Sequence, residues 1–142
     1  SRNRSGSRPG GANDMQRRIL IVDDDEPLAT VLTYALRNEG YQEDWVNDGM
    51  KALSYLGINR PDLIVMDIQL PGMDGLEVTR KLKEQPATAD IPVIAVTSYA
   101  MKGDREKALA AGCAGYVTKP IDKYTFIQEV AAHVGSKSKI ED

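Results

Sequence analysis

The sequence predicts a doubly wound α/β sandwich in which five parallel strands alternate with five helices. Three observations predict it. Short apolar runs at Ile19 to Val22, Leu63 to Met66 and Val93 to Val96 read as strands buried on both faces. Stretches with helical spacing separate them, the alternation that parallel βαβ units with right-handed crossovers produce. Each run also breaks into polar chemistry at its end: Asp23-Asp24-Asp25, Asp67 and Thr97-Ser98, with a shorter run at Gly115 to Thr118 leading into Lys119-Pro120.

Taken in order, the first strand is followed by Pro27 at a first helical position, with Asp25 or Glu26 placed to cap. Leu28, Val31, Leu32, Ala35 and Leu36 then recur at helical spacing until Asn38-Glu39-Gly40. Tyr41 to Val46 is a second strand, and Asn47-Asp48-Gly49 opens a helix carrying Met50, Leu53, Tyr55 and Leu56. After Pro61 comes the central strand, which delivers Asp67 to its carboxyl end just before Pro71-Gly72. Gly72 and Gly75 read as backbone turns there. A third helix runs from Gly75 through Leu76, Thr79 and Leu82 to about Glu84, and the loop with Pro86 leads to Pro92 and the fourth strand. Gly103 to Ala111 is a fourth helix, and Asp122 caps a fifth whose stripe is Tyr124, Ile127, Val130, Ala131 and Val134.

A chain of 142 residues, 42% hydrophobic and 27% charged, suits one domain, placed at residues 16–136. Residues 1–15 read as a disordered tail or a vector-derived remnant, and 137–142 as a polar tail. No run reaches the roughly 20 apolar residues that cross a bilayer, and no secretory signal is visible, so the expectation is a cytoplasmic protein with no membrane contact. Cys113 is the single cysteine, which excludes an internal disulfide and suits a small buried residue. Residues 1–18 carry five arginines against Asp14, a net of +4, so the overall −3 leaves −7 for the rest. That acidic remainder argues against direct nucleic-acid binding, which needs a concentrated basic face.

Parallel strands place all their carboxyl ends on one edge, so Asp23, Asp24, Asp67, Thr97 and Lys119 converge on one pocket. Clustered carboxylates repel one another unless a hard divalent cation lies among them, and Mg²⁺ suits oxygen ligands beside phosphate groups. Lys119 adds a compact positive charge and Thr97 a hydroxyl donor, which together suit a phosphoryl group bound near Asp67. An Asp carboxylate is an established covalent phosphoryl acceptor. Asp25 has no assigned chemistry beyond a helix cap or a solvated charge, and His133 reads as a surface residue, so a phosphodonor would come from another protein. Trp45 and Tyr55 read as packing at the core edge.

These residues resemble the receiver domain of a two-component response regulator over about residues 17 to 136. The resemblance is carried by Asp23-Asp24, by Met66-Asp67-Ile68-Gln69-Leu70-Pro71-Gly72-Met73-Asp74-Gly75, by Val96-Thr97-Ser98 and by Lys119-Pro120. Ala100-Met101-Lys102-Gly103-Asp104 and Gly112-Cys113 resemble single-domain regulators of the DivK cell-division type, and hybrid sensor kinases carry similar receivers. The resemblance implies a flavodoxin-like sheet in the order 2-1-3-4-5. It implies that Asp67 takes phosphate from a sensor histidine kinase or phosphotransfer protein. Asp24, Asp67 and the Gln69 backbone carbonyl would bind Mg²⁺, with Asp23 assisting through water. Thr97 and Ser98 would bind the phosphoryl group and move with it, Lys119 would pair with it, and Tyr116 would turn inward behind Thr97. The change would reach a surface of the fourth helix, fifth strand and fifth helix, where a downstream protein binds. The domain would then be a switch that assists its own phosphorylation and dephosphorylation, with no other catalytic output. A receiver cut from a hybrid sensor kinase or a larger effector is the alternative. A haloacid-dehalogenase-like phosphatase is less favoured, because Gln69 stands where that family's second, proton-transferring aspartate belongs.

Overall fold

The computed structural model describes residues 17–70, 72–98 and 102–134. The two predicted tails lie outside the described residues, as do Tyr99, Ala100 and Met101. Among the described residues, strands β1 (Arg18–Val22), β2 (Gln42–Val46), β3 (Leu63–Asp67), β4 (Val93–Thr97) and β5 (Gly115–Thr118) alternate with five helices. These are α1 (Glu26–Asn38), α2 (Gly49–Leu56), α3 (Gly75–Lys83), α4 (Asp104–Ala111) and α5 (Lys123–Val134). The sheet order is β2-β1-β3-β4-β5, and every neighbouring pair is parallel, as the sequence and the resemblance led one to expect.

The three apolar runs sit at the centre of the sheet with both faces covered. Ile19–Val22, Leu63–Met66 and Val93–Val96 are 1% exposed or less, and alternate side chains serve two separate layers. Leu20, Val22, Ile64, Met66 and Ala95 pack with Ala52, Val78, Leu82 and Ala108, which belong to α2, α3 and α4. Ile19, Ile21, Val65, Ile94 and Val96 pack with Leu32 and Leu36 of α1 and with Phe126 and Val130 of α5. Edge strand β2 has no fully buried residue, in keeping with its charged sequence.

Aspartates fix where the helices start, and therefore how the loops leave the strands. Asp25 accepts a hydrogen bond from the Leu28 amide at 3.1 Å, Asp48 from Lys51 at 2.7 Å, Asp74 from Leu76 at 2.8 Å and Asp122 from Thr125 at 2.9 Å. Caps of this kind contribute about 1 kcal/mol each.

The predicted stripe of α5 holds at Ile127, Val130 and Val134, which pack on the second layer, but not at Tyr124 and Ala131. Tyr124 is 71% exposed and Ala131 is exposed, whereas Phe126, absent from the predicted stripe, is fully buried beside Val130. Apolar residues at 124, 126, 127, 130, 131 and 134 cover so much of the helix circumference that periodicity alone does not choose a face. The sheet chooses, because burying Phe126 is worth roughly 1.5–3 kcal/mol. Val31 and Met50 likewise face solvent, with Ala29 and Ala52 buried in α1 and α2 instead.

Candidate functional site

The sheet order reverses between β1 and β3, so the crevice at their carboxyl ends is a topological switch point. Asp23 follows β1, Asp67 ends β3, Thr97 ends β4 and Lys119 follows β5. The structure brings them together. Asp23, Asp24 and Asp67 each offer a carboxylate oxygen, all within 4.8 Å of one another. The Lys119 ammonium lies 3.3 Å from Asp67 Oδ2 and 3.4 Å from Asp23 Oδ2. It is held there by its own backbone, whose N–H donates to the Thr97 carbonyl at 2.8 Å ahead of a cis Lys119–Pro120 peptide.

Asp23 and Asp67 are buried and Asp24 is exposed, so the cluster opens to solvent on the Asp24 side. The buried carboxylates are oriented by backbone amides: Asp25 N–H donates to Asp23 Oδ1 at 2.8 Å, and Gln69 N–H to Asp67 Oδ1 at 2.9 Å. Burial above all, then the neighbouring Asp67, pushes the Asp23 carboxyl up to about 6, although the Asp25 amide and Lys119 pull it down. Burial alone would lower the Lys119 ammonium, but the charges of Asp67 and Asp23 outweigh it and hold it above the usual lysine value. Three carboxylates converge here against the one ammonium of Lys119. Three hard oxygen donors in that setting fit a small divalent cation such as Mg²⁺.

The loop after β3 is pressed against the start of α3, and Gly75 is what lets it fit. A Cβ at this position would lie 2.2 Å from the Asp67 carbonyl oxygen and 2.7 Å from Ile68 Cα. Its backbone is not left-handed, so Gly75 serves close approach and not a turn, which corrects the sequence reading. Gly72, at φ +79° with open space around it, is the turn glycine.

Thr97 is fully buried, and the Gln69 side chain reaches it: Nε2 donates to Thr97 Oγ1 at 2.7 Å, while Oε1 accepts from the exposed Ser98 N–H at 3.0 Å. Sequence reasoning missed this side chain, having given Gln69 a part only through its carbonyl. The signal was in the register: Asp67 pairs with Val96, so two residues further on Gln69 stands beside Ser98. Tyr116 pairs with Ala95, two residues before Thr97 on the same face, and packs half-buried against that layer. Burial first, then the carboxylates of Asp104 and Glu106, raises its hydroxyl pKa against an opposing pull from Arg105.

Trp45 was also more than edge packing, since its indole N–H donates to the Asp23 carbonyl at 2.7 Å and ties β2 to the acidic loop. Tyr55 bonds Asp44 at the same edge, where burial pushes its hydroxyl up to about 12. Asp25 is a helix cap, and Cys113 is buried. His133 is half-buried 3.6 Å from Glu129 in the last turn of α5, away from the acidic cluster.

Fold and site together define a doubly wound α/β domain with an acidic, lysine-braced pocket at its switch point. The chain belongs to the response regulator receiver domain family, which residues 19–131 match. It is 41% identical over 121 residues to the polar-differentiation response regulator DivK of Brucella anthropi, an alignment covering 85% of this chain and 98% of that protein. Among solved structures, it is 35% identical to the receiver domain of a signal transduction histidine kinase from Syntrophus aciditrophicus, with a TM-score of 0.78 over 84% of this chain and 91% of that one. The receiver domain of a sensor histidine kinase from Pseudomonas aeruginosa PAO1 is also 35% identical, with a TM-score of 0.77 over 84% of this chain and 98% of that one. In that structure a magnesium ion is coordinated in the active-site cleft. No helix among the described residues is long and apolar enough to cross a membrane.

Proposed function

We propose that this domain is a phosphorylation-controlled signalling switch in which Asp67 is the phosphoacceptor. The observation that carries the reading is the Lys119 ammonium set between Asp67 and Asp23 in a pocket of three convergent carboxylates. A carboxylate oxygen of Asp67 forms a P–O bond as the P–N bond to a phosphohistidine of the partner kinase or phosphotransfer protein breaks. The electron pair of that bond stays on the departing imidazole. Lys119 pairs with the transferred group, and Thr97 and the Ser98 amide donate to its oxygens. Asp24, Asp67 and the Gln69 carbonyl would hold Mg²⁺, with Asp23 acting through water. The cation supplies positive charge against that of the phosphoryl group.

His133 packs on Glu129 at the far end of α5, so the phosphodonor comes from outside this domain. Tyr116 links the pocket to the surface of α4, β5 and α5, the proposed docking face for a downstream protein. A cytoplasmic location, residues 16–136 as the domain, and the absence of nucleic-acid or membrane contact complete the reading. A receiver belonging to a hybrid kinase is the second reading, favoured by the two kinase receivers that share its fold.

Two measurements test the reading. With acetyl phosphate and Mg²⁺, intact-mass spectrometry should show one added phosphoryl group that hydroxylamine removes, and none on Asp67→Asn. The same addition on Asp67→Asn would place the acceptor elsewhere. Because Trp45 bonds the Asp23 carbonyl, its fluorescence should change on Mg²⁺ titration, and Asp24→Ala should abolish that response.

A further inference from the structure

We propose that the Gln69 side chain is a clamp that holds Thr97 and the Ser98 amide in their resting positions and must release them before they can engage a phosphoryl group. The inference rests on Asp67 being the phosphoacceptor. Both polar atoms of one carboxamide grip consecutive residues at the end of β4, Nε2 on Thr97 Oγ1 at 2.7 Å and Oε1 on Ser98 N–H at 3.0 Å. The same residue's backbone N–H is bonded to Asp67 Oδ1 at 2.9 Å. One residue thus ties the acceptor carboxylate to the groups that would respond to its modification.

A backbone amide carries a single proton. While Ser98 N–H is given to Gln69 Oε1, it is not available to a phosphoryl oxygen, so the two acceptors compete for it. Movement of Thr97 toward Asp67 draws its hydroxyl away from Gln69 Nε2 as well. The clamp is a differential interaction: it stabilises the resting arrangement and contributes nothing to the engaged one. Gln69 is exposed, so its freed carboxamide is solvated at once, and the backbone carbonyl proposed as a metal ligand is untouched by side-chain substitution. At about 0.5 kcal/mol for each bond of an exposed side chain, losing both is worth about 1 kcal/mol net, which is about fivefold in an equilibrium.

The test is titration of wild type, Gln69→Met and Gln69→Asn with beryllofluoride and Mg²⁺, followed in ¹H–¹⁵N spectra. Methionine keeps the length and removes both polar atoms, whereas asparagine keeps the carboxamide but is one methylene too short to span both partners. Both variants should bind beryllofluoride about fivefold more tightly than wild type. Their free-state Ser98 and Tyr116 amide resonances should lie displaced toward the bound positions. In wild type the Gln69 side-chain NH₂ protons should be slow to exchange when free and fast when bound. Wild-type response with unchanged affinity and Ser98 shifts in both variants overturns the clamp alone. Failure of wild type to bind beryllofluoride overturns the assignment of Asp67, and the clamp with it.

Discussion

Replacing Gly75 by alanine adds one methyl group and tests whether α3 sets the position of Asp67. The new Cβ would stand 2.2 Å from the Asp67 carbonyl oxygen, 2.7 Å from Ile68 Cα and 2.9 Å from the Asp67 carbonyl carbon. All three are backbone atoms, so no side chain can swing aside, and either α3 or the end of β3 must move. Overpacking of this kind costs about 1–3 kcal/mol. Alanine returns up to about 1 kcal/mol through helix propensity, so the net loss is roughly 1–2 kcal/mol. In a domain of this size that lowers Tm by about 3–10 °C. Moving the end of β3 also shifts the Asp67 carboxylate from Lys119, so phosphorylation by acetyl phosphate should slow by more than the stability loss accounts for. Gly72→Ala is the control. It meets no neighbour within 4 Å, and its strain at φ +79° should lower Tm without slowing modification of Asp67. A Gly75→Ala protein that melts and is modified like wild type would refute the reasoning.

Three further outcomes follow from the same geometry. Burial holds the Asp23 carboxyl near 6 against an ordinary 3.8, so the native state binds its proton more tightly than the unfolded chain, and stability falls as pH rises across that interval. Asp23→Asn should therefore stabilise the metal-free protein above about pH 7, with the gain fading toward pH 4 in thermal melts; a pH-independent difference would contradict this. Cys113 is buried and its thiol is pushed up to about 11 chiefly by that burial, so its reaction with a disulfide reagent at pH 8 should be about a hundredfold slower than in the urea-unfolded chain. Lys119→Ala should still accept phosphate at Asp67 while losing the beryllofluoride-induced shift at Tyr116, and a full shift in that variant would remove Lys119 from the switch.

Much of this fold is legible because its physics is local. The apolar runs of β1, β3 and β4 are long enough to be strands and short enough to exclude helices, and their both-face burial requires a covered parallel sheet. Asp25 and Asp122 announced themselves as caps by standing just ahead of apolar periodic segments. The acidic pocket was legible too, since parallel topology gathers strand ends whatever their separation in sequence. What was not legible depends on contacts across elements. Where the buried stripe of α5 ends depends on which flank the sheet accepts, and it takes Phe126 while leaving Tyr124 outside. Gly75 looks like any turn glycine until α3 is seen lying on the Asp67 carbonyl. Gln69 and Trp45 act through single hydrogen bonds to Thr97, Ser98 and Asp23, and register and distance alone reveal them.

The site is chemically lopsided, and that decides where a change at Asp67 can be felt. On the β1 side stand Asp23 and Asp24, with the Asp23 carboxyl held up near 6 by burial first and by the neighbouring Asp67 second. More negative charge at Asp67 meets carboxylates there, and a bound cation only offsets what is present. On the β4 and β5 side stand the groups that answer negative charge: the Lys119 ammonium, the Thr97 hydroxyl and the Ser98 amide. The last two are held by an uncharged and exposed carboxamide, a partner that gives way more cheaply than an ion pair would. Lys119 is bonded through its backbone to the Thr97 carbonyl, and Tyr116 lies on the same face of the sheet two residues before Thr118, the register partner of Thr97. Under the proposed phosphorylation the response therefore runs toward β4 and β5, because the opposite wall is already crowded with charge of the same sign.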